Sequence, residues 1–144
     1  MEKFRGQGII EYFDRFKTDL DCLEYLAYTK WKDGYKCCKC GHAKFTVRKL
    51  NFARDCNSCH HIESPTAGTL FHKVKFGIRK AFTIAFEMSA TTKSMSSSQM
   101  AKRLNISRPA AWLFMHKVRE AMKSSETQAM TGRVVVDEFV FGGK

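Results

Sequence analysis

Two C-x-x-C pairs, Cys37-Cys38-Lys39-Cys40 and Cys56-Asn57-Ser58-Cys59, stand with fifteen residues between them. Thiolates bind borderline-soft cations. Each short pair can fold into a tight knuckle around one ion while the segment between returns as a hairpin, which is the spacing of a tetrahedral four-thiolate zinc site. Cys37, Cys40, Cys56 and Cys59 are therefore the expected ligands of a structural Zn²⁺ ion. Pairing Cys37 with Cys38 would leave adjacent side chains pointing apart, so Cys37 and Cys40 are preferred. His60, His61 and His72 are spare donors, with His60 a stand-in for Cys59, but four cysteines already complete the set. Gly41 follows the first pair, where a knuckle needs a residue that tolerates positive φ. The competing chemistry is a disulfide scaffold in a secreted protein. No signal peptide or apolar run of membrane-spanning length is visible, so a reducing cytosol and a metal are expected instead.

The elements that must hold these cysteines can be read from periodicity and caps. Residues 9–16 place Ile9, Ile10, Tyr12, Phe13 and Phe16 at helical spacing. A second helix starts at Thr18, whose hydroxyl can cap while Asp19 and Asp21 favour its first turn. It is expected to bury Leu20, Leu23, Tyr25, Leu26 and Tyr28, with Cys22 as a small buried hydrophobe, before Trp31 and the Asp33-Gly34 turn. Phe45-Thr46-Val47-Arg48 alternates as a strand, and residues 66–72 read as the last strand and exit turn of the ribbon. Residues 78–88 leave few polar positions and predict a helix buried on most sides.

Next, Ser96, Ser97 or Ser98 can cap a short helix that Asn105 ends in the left-handed conformation, and Ser107 can cap a longer one with Pro109 in its first turn. Ala111, Met115, Val118 and Met122 share one face of that longer helix. This is a helix-turn-helix pattern, the kind whose second helix enters a DNA major groove. Ser107, Arg108 and Lys117 would then face DNA, Lys102 and Arg103 would lie near phosphates, and Trp112 would pack on the first helix. The plainer alternative is a helical hairpin with a solvated basic face. Residues 124–132 read as a polar linker, and 133–144 as a β-branched strand carrying Asp137.

Charge narrows the partner. The chain has 144 residues, 25 Lys and Arg against 14 Asp and Glu, and a net charge of +11, with a pI near 9.6. Such a surplus suits a partner bearing many phosphates. Basicity alone does not separate DNA from RNA or an anionic membrane surface. No strongly basic amphipathic helix of the membrane-surface kind is evident, so a membrane is not expected, and the helix-turn-helix pattern makes double-stranded DNA the expected partner. The fold class expected is α+β in small modules: an N-terminal helical segment (1–34), a four-cysteine zinc ribbon (35–72), a helix-turn-helix region (73–123), the linker, and a terminal strand.

Taken together, Cys37-x-x-Cys40-Gly41, Cys56-x-x-Cys59 with residues 66–72, the helix pair of residues 104–122, and Val136-Asp137-Glu138-Phe139-Val140-Phe141-Gly142-Gly143-Lys144 resemble, in order, the bacterial insertion-sequence transposases with an N-terminal zinc ribbon and an RNase-H-like DDE nuclease domain. The last stretch is the most specific. The resemblance implies DNA recombination by transposition, recognition of the element's terminal repeats, and a bacterial, cytoplasmic, nucleoid-associated protein. It matches Asp137 to the first metal-binding carboxylate of a site that in the complete enzyme would use Mg²⁺ or Mn²⁺ for in-line attack on a phosphodiester. A lone Asp137 cannot assemble that metal pair, so this chain is expected to be the DNA-binding part of a truncated enzyme, inactive by itself. The alternative is a stand-alone DNA-binding regulator or transposition inhibitor. Whether the ribbon touches DNA or mediates homo-oligomerisation stays open. Cys38 departs from the family by standing where Pro is common. Glu63 departs by replacing a core aromatic, with Ile62 as its expected substitute.

Overall fold

The computed structural model describes residues 8–91 and 93–123; the expected linker, the final strand and Asp137 lie outside these residues. The described chain is mixed α+β, with five helices and one three-stranded antiparallel sheet. Helix α1 covers Ile9–Arg15 and α2 covers Asp19–Lys30. Strands β1 (Phe45–Val47), β2 (Arg54–Cys56) and β3 (Ile62–Glu63) pair in the order β1-β2-β3, with Phe45 opposite Cys56 and Arg54 opposite Glu63. Helices α3 (Ile78–Ala90), α4 (Ser97–Leu104) and α5 (Arg108–Met122) complete the order.

The caps are made by the residues that the sequence offers for them. Thr18 Oγ1 accepts from the Asp21 amide, and the Asp21 carboxylate accepts from the Thr18 amide, a closed capping box. The Thr18 amide, then the Thr18 hydroxyl and the Lys17 amide, donate to the Asp21 carboxyl and hold it below the usual carboxylate range. Ser96 and Gln99 repeat the box at α4. Helix α3 starts at Gly77 without a side-chain cap of its own. Instead Asp19, in the first turn of α2, accepts from the Arg79 amide at 3.0 Å, so one helix closes the exposed donors of another.

Three hydrophobic clusters share elements. Tyr12, Phe16, Cys22, Leu26 and Phe82 join α1, α2 and α3. Ala81, Ile84, Met100, Phe114, Met115 and Val118 join α3, α4 and α5. Ala27, Trp31, Tyr35, Cys37 and Cys56 join the end of α2 to the cysteine segment. Helix α3 is thus shared by the first two clusters and α2 by the first and third. Cys22 is fully buried, and burial raises its thiol to about 12, which leaves it inert.

Several expectations are corrected. Leu20 and Tyr28 are exposed, because α2 turns the face carrying Cys22, Leu26 and Ala27 inward and leaves Tyr28 on the opposite side. Trp112 and Met122 are also exposed; the inner face of α5 is Ala111, Phe114, Met115 and Val118. Residues 66–72 form turns rather than a strand. Their amides are taken by local bonds, Ala67 to Ser64, Thr69 to Thr66 and His72 to Thr69, and Lys30 Nζ donates to the Ser64 and Ala67 carbonyls.

Lys30 also pairs with Glu63 at 2.7 Å, so three acceptors meet an ammonium that has three protons. Glu63 is thereby explained without an aromatic residue in its place. Ile62 beside it is exposed and does not fill the role.

Glu87 in α3 is buried, and Arg103 in α4 holds it with two bonds of 3.1 and 2.8 Å. Arg103→Ala strands that carboxylate and is expected to cost about 2 kcal/mol, whereas exposed Lys102→Ala should cost under about 0.5 kcal/mol. Urea unfolding of both variants, read by circular dichroism, measures the difference.

Candidate metal centre

The two C-x-x-C pairs fold into matching knuckles. The Gly41 amide donates to the Cys37 carbonyl and the His60 amide to the Cys56 carbonyl, both at 2.9 Å; the Cys37 and Cys56 amides donate to His42 and His61 carbonyls at 3.0 Å. Gly41 and His60 both take the left-handed conformation, at φ +73° and +54°. His60 therefore serves the second knuckle as its turn residue, the place that Gly41 fills in the first. The hairpin of β1 and β2 carries the chain from one knuckle to the other.

The four Sγ atoms of Cys37, Cys40, Cys56 and Cys59 lie within 4.8 Å of one another. Cys37 meets Cys59 at 3.5 Å and Cys40 meets Cys56 at 3.5 Å. Each of these contacts joins a buried sulfur of one knuckle to an exposed sulfur of the other. With metal–sulfur bonds of about 2.3 Å, a tetrahedron of thiolates needs sulfurs about 3.8 Å apart. The cluster can hold a metal ion and fits zinc. Among the described residues it is the one group of His, Cys, Asp and Glu gathered tightly enough to do so. Cys38 is exposed and outside it, as are His60, His61 and His72.

The electrostatics also favour a cation. The Cys40 and Lys39 amides point at the Cys37 sulfur and lower its thiol to about 6. The Cys59 and Ser58 amides lower Cys56 in the same way. Cys59 goes the other way: the His61 amide favours its thiolate, but burial and the sulfurs of Cys40, Cys37 and Cys56 outweigh it and push the thiol to about 12. Four thiolates cannot collect here without a positive ion between them. Among the described residues the buried Tyr35 hydroxyl finds no well-formed hydrogen bond; burial first, and then the nearby Cys37 sulfur, raise its pKa. A metal-bound thiolate at Cys37 would offer it an acceptor.

The remaining candidate residues sit on α4 and α5. Asn105 takes φ +50° after α4, and the Ile106 amide reaches the Ala101 carbonyl at 3.1 Å, closing a Schellman turn. Lys80 Nζ donates to the Asn105 carbonyl and ties that turn to α3. Ser107 Oγ accepts from the Ala110 amide and starts α5. Lys102, Ser107, Arg108 and Lys117 are all exposed, while Arg103 is engaged with Glu87. Residues that the sequence did not suggest join them: Trp112 stacks on His116 with centroids 5.5 Å apart, and Leu113 is exposed beside them. The i, i+4 spacing of Trp112 and His116 was the available signal.

Comparison with protein-family models, curated proteins and solved structures found no match to this chain. Among the described residues no helix is long and apolar enough to cross a membrane.

Cys56→Ser is expected to abolish metal binding and unfold the knuckles, while Cys38→Ser should retain both. Metal analysis together with circular dichroism before and after chelation tests this. Metal uptake near pH 7 should release protons, since Cys59 is a neutral thiol until the ion arrives. Titration calorimetry in two buffers of different ionisation enthalpy should give different apparent heats.

Proposed function

We propose that this chain is the DNA-binding part of a zinc-ribbon insertion-sequence transposase. In this reading a structural zinc held by Cys37, Cys40, Cys56 and Cys59 fixes the ribbon, and α5 reads the element's terminal repeats. The observation that carries the DNA-binding half is the arrangement of charge. Residues 35–123 hold 17 Lys and Arg but four carboxylates, and each carboxylate is engaged: Asp55 with Arg48, Glu63 with Lys30, Glu87 with Arg103, Glu120 with Lys123. Between residues 35 and 123 every carboxylate is thus in an ion pair, and the positive surplus there suits a polyanion lying along this part of the molecule.

The α4–turn–α5 unit supports the same reading. Its inner face is packed into a core, and the exposed start of α5 presents Arg108, with Trp112, Leu113 and His116 along the outer side. Arg can bond a guanine edge in two places, and phosphate contacts from Lys102 and Lys117 would set the register. The transposase half rests on the sequence resemblance around the cysteines, the helix pair and Asp137.

The test is a mobility-shift titration of the zinc-loaded protein on a duplex bearing the terminal repeats of its element and on a random duplex. Tighter binding to the repeats is expected. With three or more phosphate contacts, affinity should fall roughly thirty-fold or more between about 50 and about 200 mM monovalent salt. Equal affinity for both duplexes would remove the recognition claim, and an absence of binding at low salt would remove the DNA reading altogether.

A further inference from the structure

A cleft of about 490 Å³ lies between the exit turns of the cysteine segment and α5, lined by Thr69, Leu70, His72, Lys73, His116, Lys117 and Glu120. Two lysines and two imidazoles meet there from parts of the chain more than forty residues apart in sequence. The single carboxylate in the lining, Glu120, is occupied by Lys123 at 2.7 Å. The balance of the lining is positive, and its histidines and Glu120 are not gathered closely enough to form a metal cluster.

The backbone at Lys73 adds a second observation. Among the described residues four other than glycine have positive φ: Phe52, His60, Lys73 and Asn105. Three of these have local reasons. Phe52 bends the β1–β2 hairpin with its amide on the Arg48 carbonyl, His60 turns the second knuckle, and Asn105 ends α4. Lys73 likewise lies in a turn, the last of those that lead out of the cysteine segment. A side chain of this kind in the left-handed region costs about 1 kcal/mol or more, and here the cost is spent at the rim of a basic cleft.

We propose that this cleft seats a phosphate of the DNA backbone, with Lys73 and Lys117 as its paired cations, so that the ribbon's exit segment grips the same duplex that α5 reads. The inference rests on the DNA-binding reading above. Helix geometry supports it. Arg108 and Lys117 are nine residues apart, which at about 100° per residue puts them on opposite flanks of α5, about 13 Å apart along its axis. With the outer side of α5 turned to a major groove about 12 Å wide, the Lys117 flank, further along the helix, approaches a phosphate wall. Lys73 comes to that wall from the other side of the cleft.

The test uses the full zinc-loaded chain and the double variant Lys73→Ala/Lys117→Ala. Both side chains are exposed, and thermal melting checks that the fold is kept. The slope of log affinity against log salt should become shallower by about 0.9, the loss of the one phosphate seated in the cleft. The preference for element ends over random duplex should stay, because phosphate contacts position without specifying. Lys73→Arg/Lys117→Arg should restore the slope, and Lys93→Ala should leave it unchanged. If the double variant melts early, Lys117→Ala alone should still make the slope shallower, by at most about 0.9. A double variant with wild-type slope, or one that loses end preference at constant slope, overturns the cleft as a phosphate seat and leaves the DNA reading standing. A wild-type protein that binds no duplex at low salt overturns both.

Discussion

Four sulfurs within 4.8 Å of one another set the condition for everything near them. Backbone amides favour the thiolate at Cys37 and Cys56, and every further negative charge is opposed by those already present, as Cys59 shows. A positive ion at the centre removes the conflict and turns a repulsive cluster into a clamp. The sheet it closes has strands of three, three and two residues, too little to hold itself together by burial alone. The knuckles, in turn, fix Tyr35 and Phe45, and Arg54 lies over Phe45 and Trp31 at 4.0 and 4.3 Å. The small core under the cysteines is thus as much cation on aromatic ring as hydrocarbon.

From that clamp, order spreads along two lines. Trp31 and Lys30 connect it to α2, with Lys30 answering three acceptors in β3 and the turns that follow it. Helix α2 then lends Asp19 to the start of α3, and α3 is packed from both sides, by α1 and α2 through Phe82 and by α4 and α5 through Ala81 and Ile84. The buried Glu87–Arg103 pair fastens α4 to α3. Arg103, which by sequence looks like one more cation for a phosphate, is spent on this internal bond. On the proposed reading, the contacts to DNA then fall to Lys102, Arg108 and Lys117.

What could be read from the sequence was local. The capping residues Thr18, Ser96 and Ser107, the left-handed Asn105 and the knuckle glycine Gly41 each act within a few residues, so residue type and spacing suffice to place them. The cysteine cluster was legible for a related reason, since C-x-x-C fixes its own knuckle geometry. The misreadings arose where a distant partner decides. Nothing near Leu20 or Tyr28 says which side of α2 will meet α3, and nothing near Trp112 says that Phe114 will take the inner position. Residues 66–72 looked extended by composition, but Lys30, more than thirty residues earlier, claims the Ala67 carbonyl and that of Ser64 just before the segment. Pairing of all four carboxylates between residues 35 and 123 likewise exists only in three dimensions.

Phe71 stacks on Phe82 with centroids 4.6 Å apart and also meets Phe114 at 5.9 Å, so one ring belongs to two cores. The chain leaving the cysteine segment is pinned at the junction of the helical layers within two residues of its last turn. A swivel of the sheet relative to α5 would have to pull that ring from both. The two parts therefore behave as the fixed jaws of a caliper. On the proposed reading, a duplex touched by both would be sensed at a set helical phase, and inserting a single base pair between the two contacts, a rotation of roughly 35°, would carry one of them off its side of the helix.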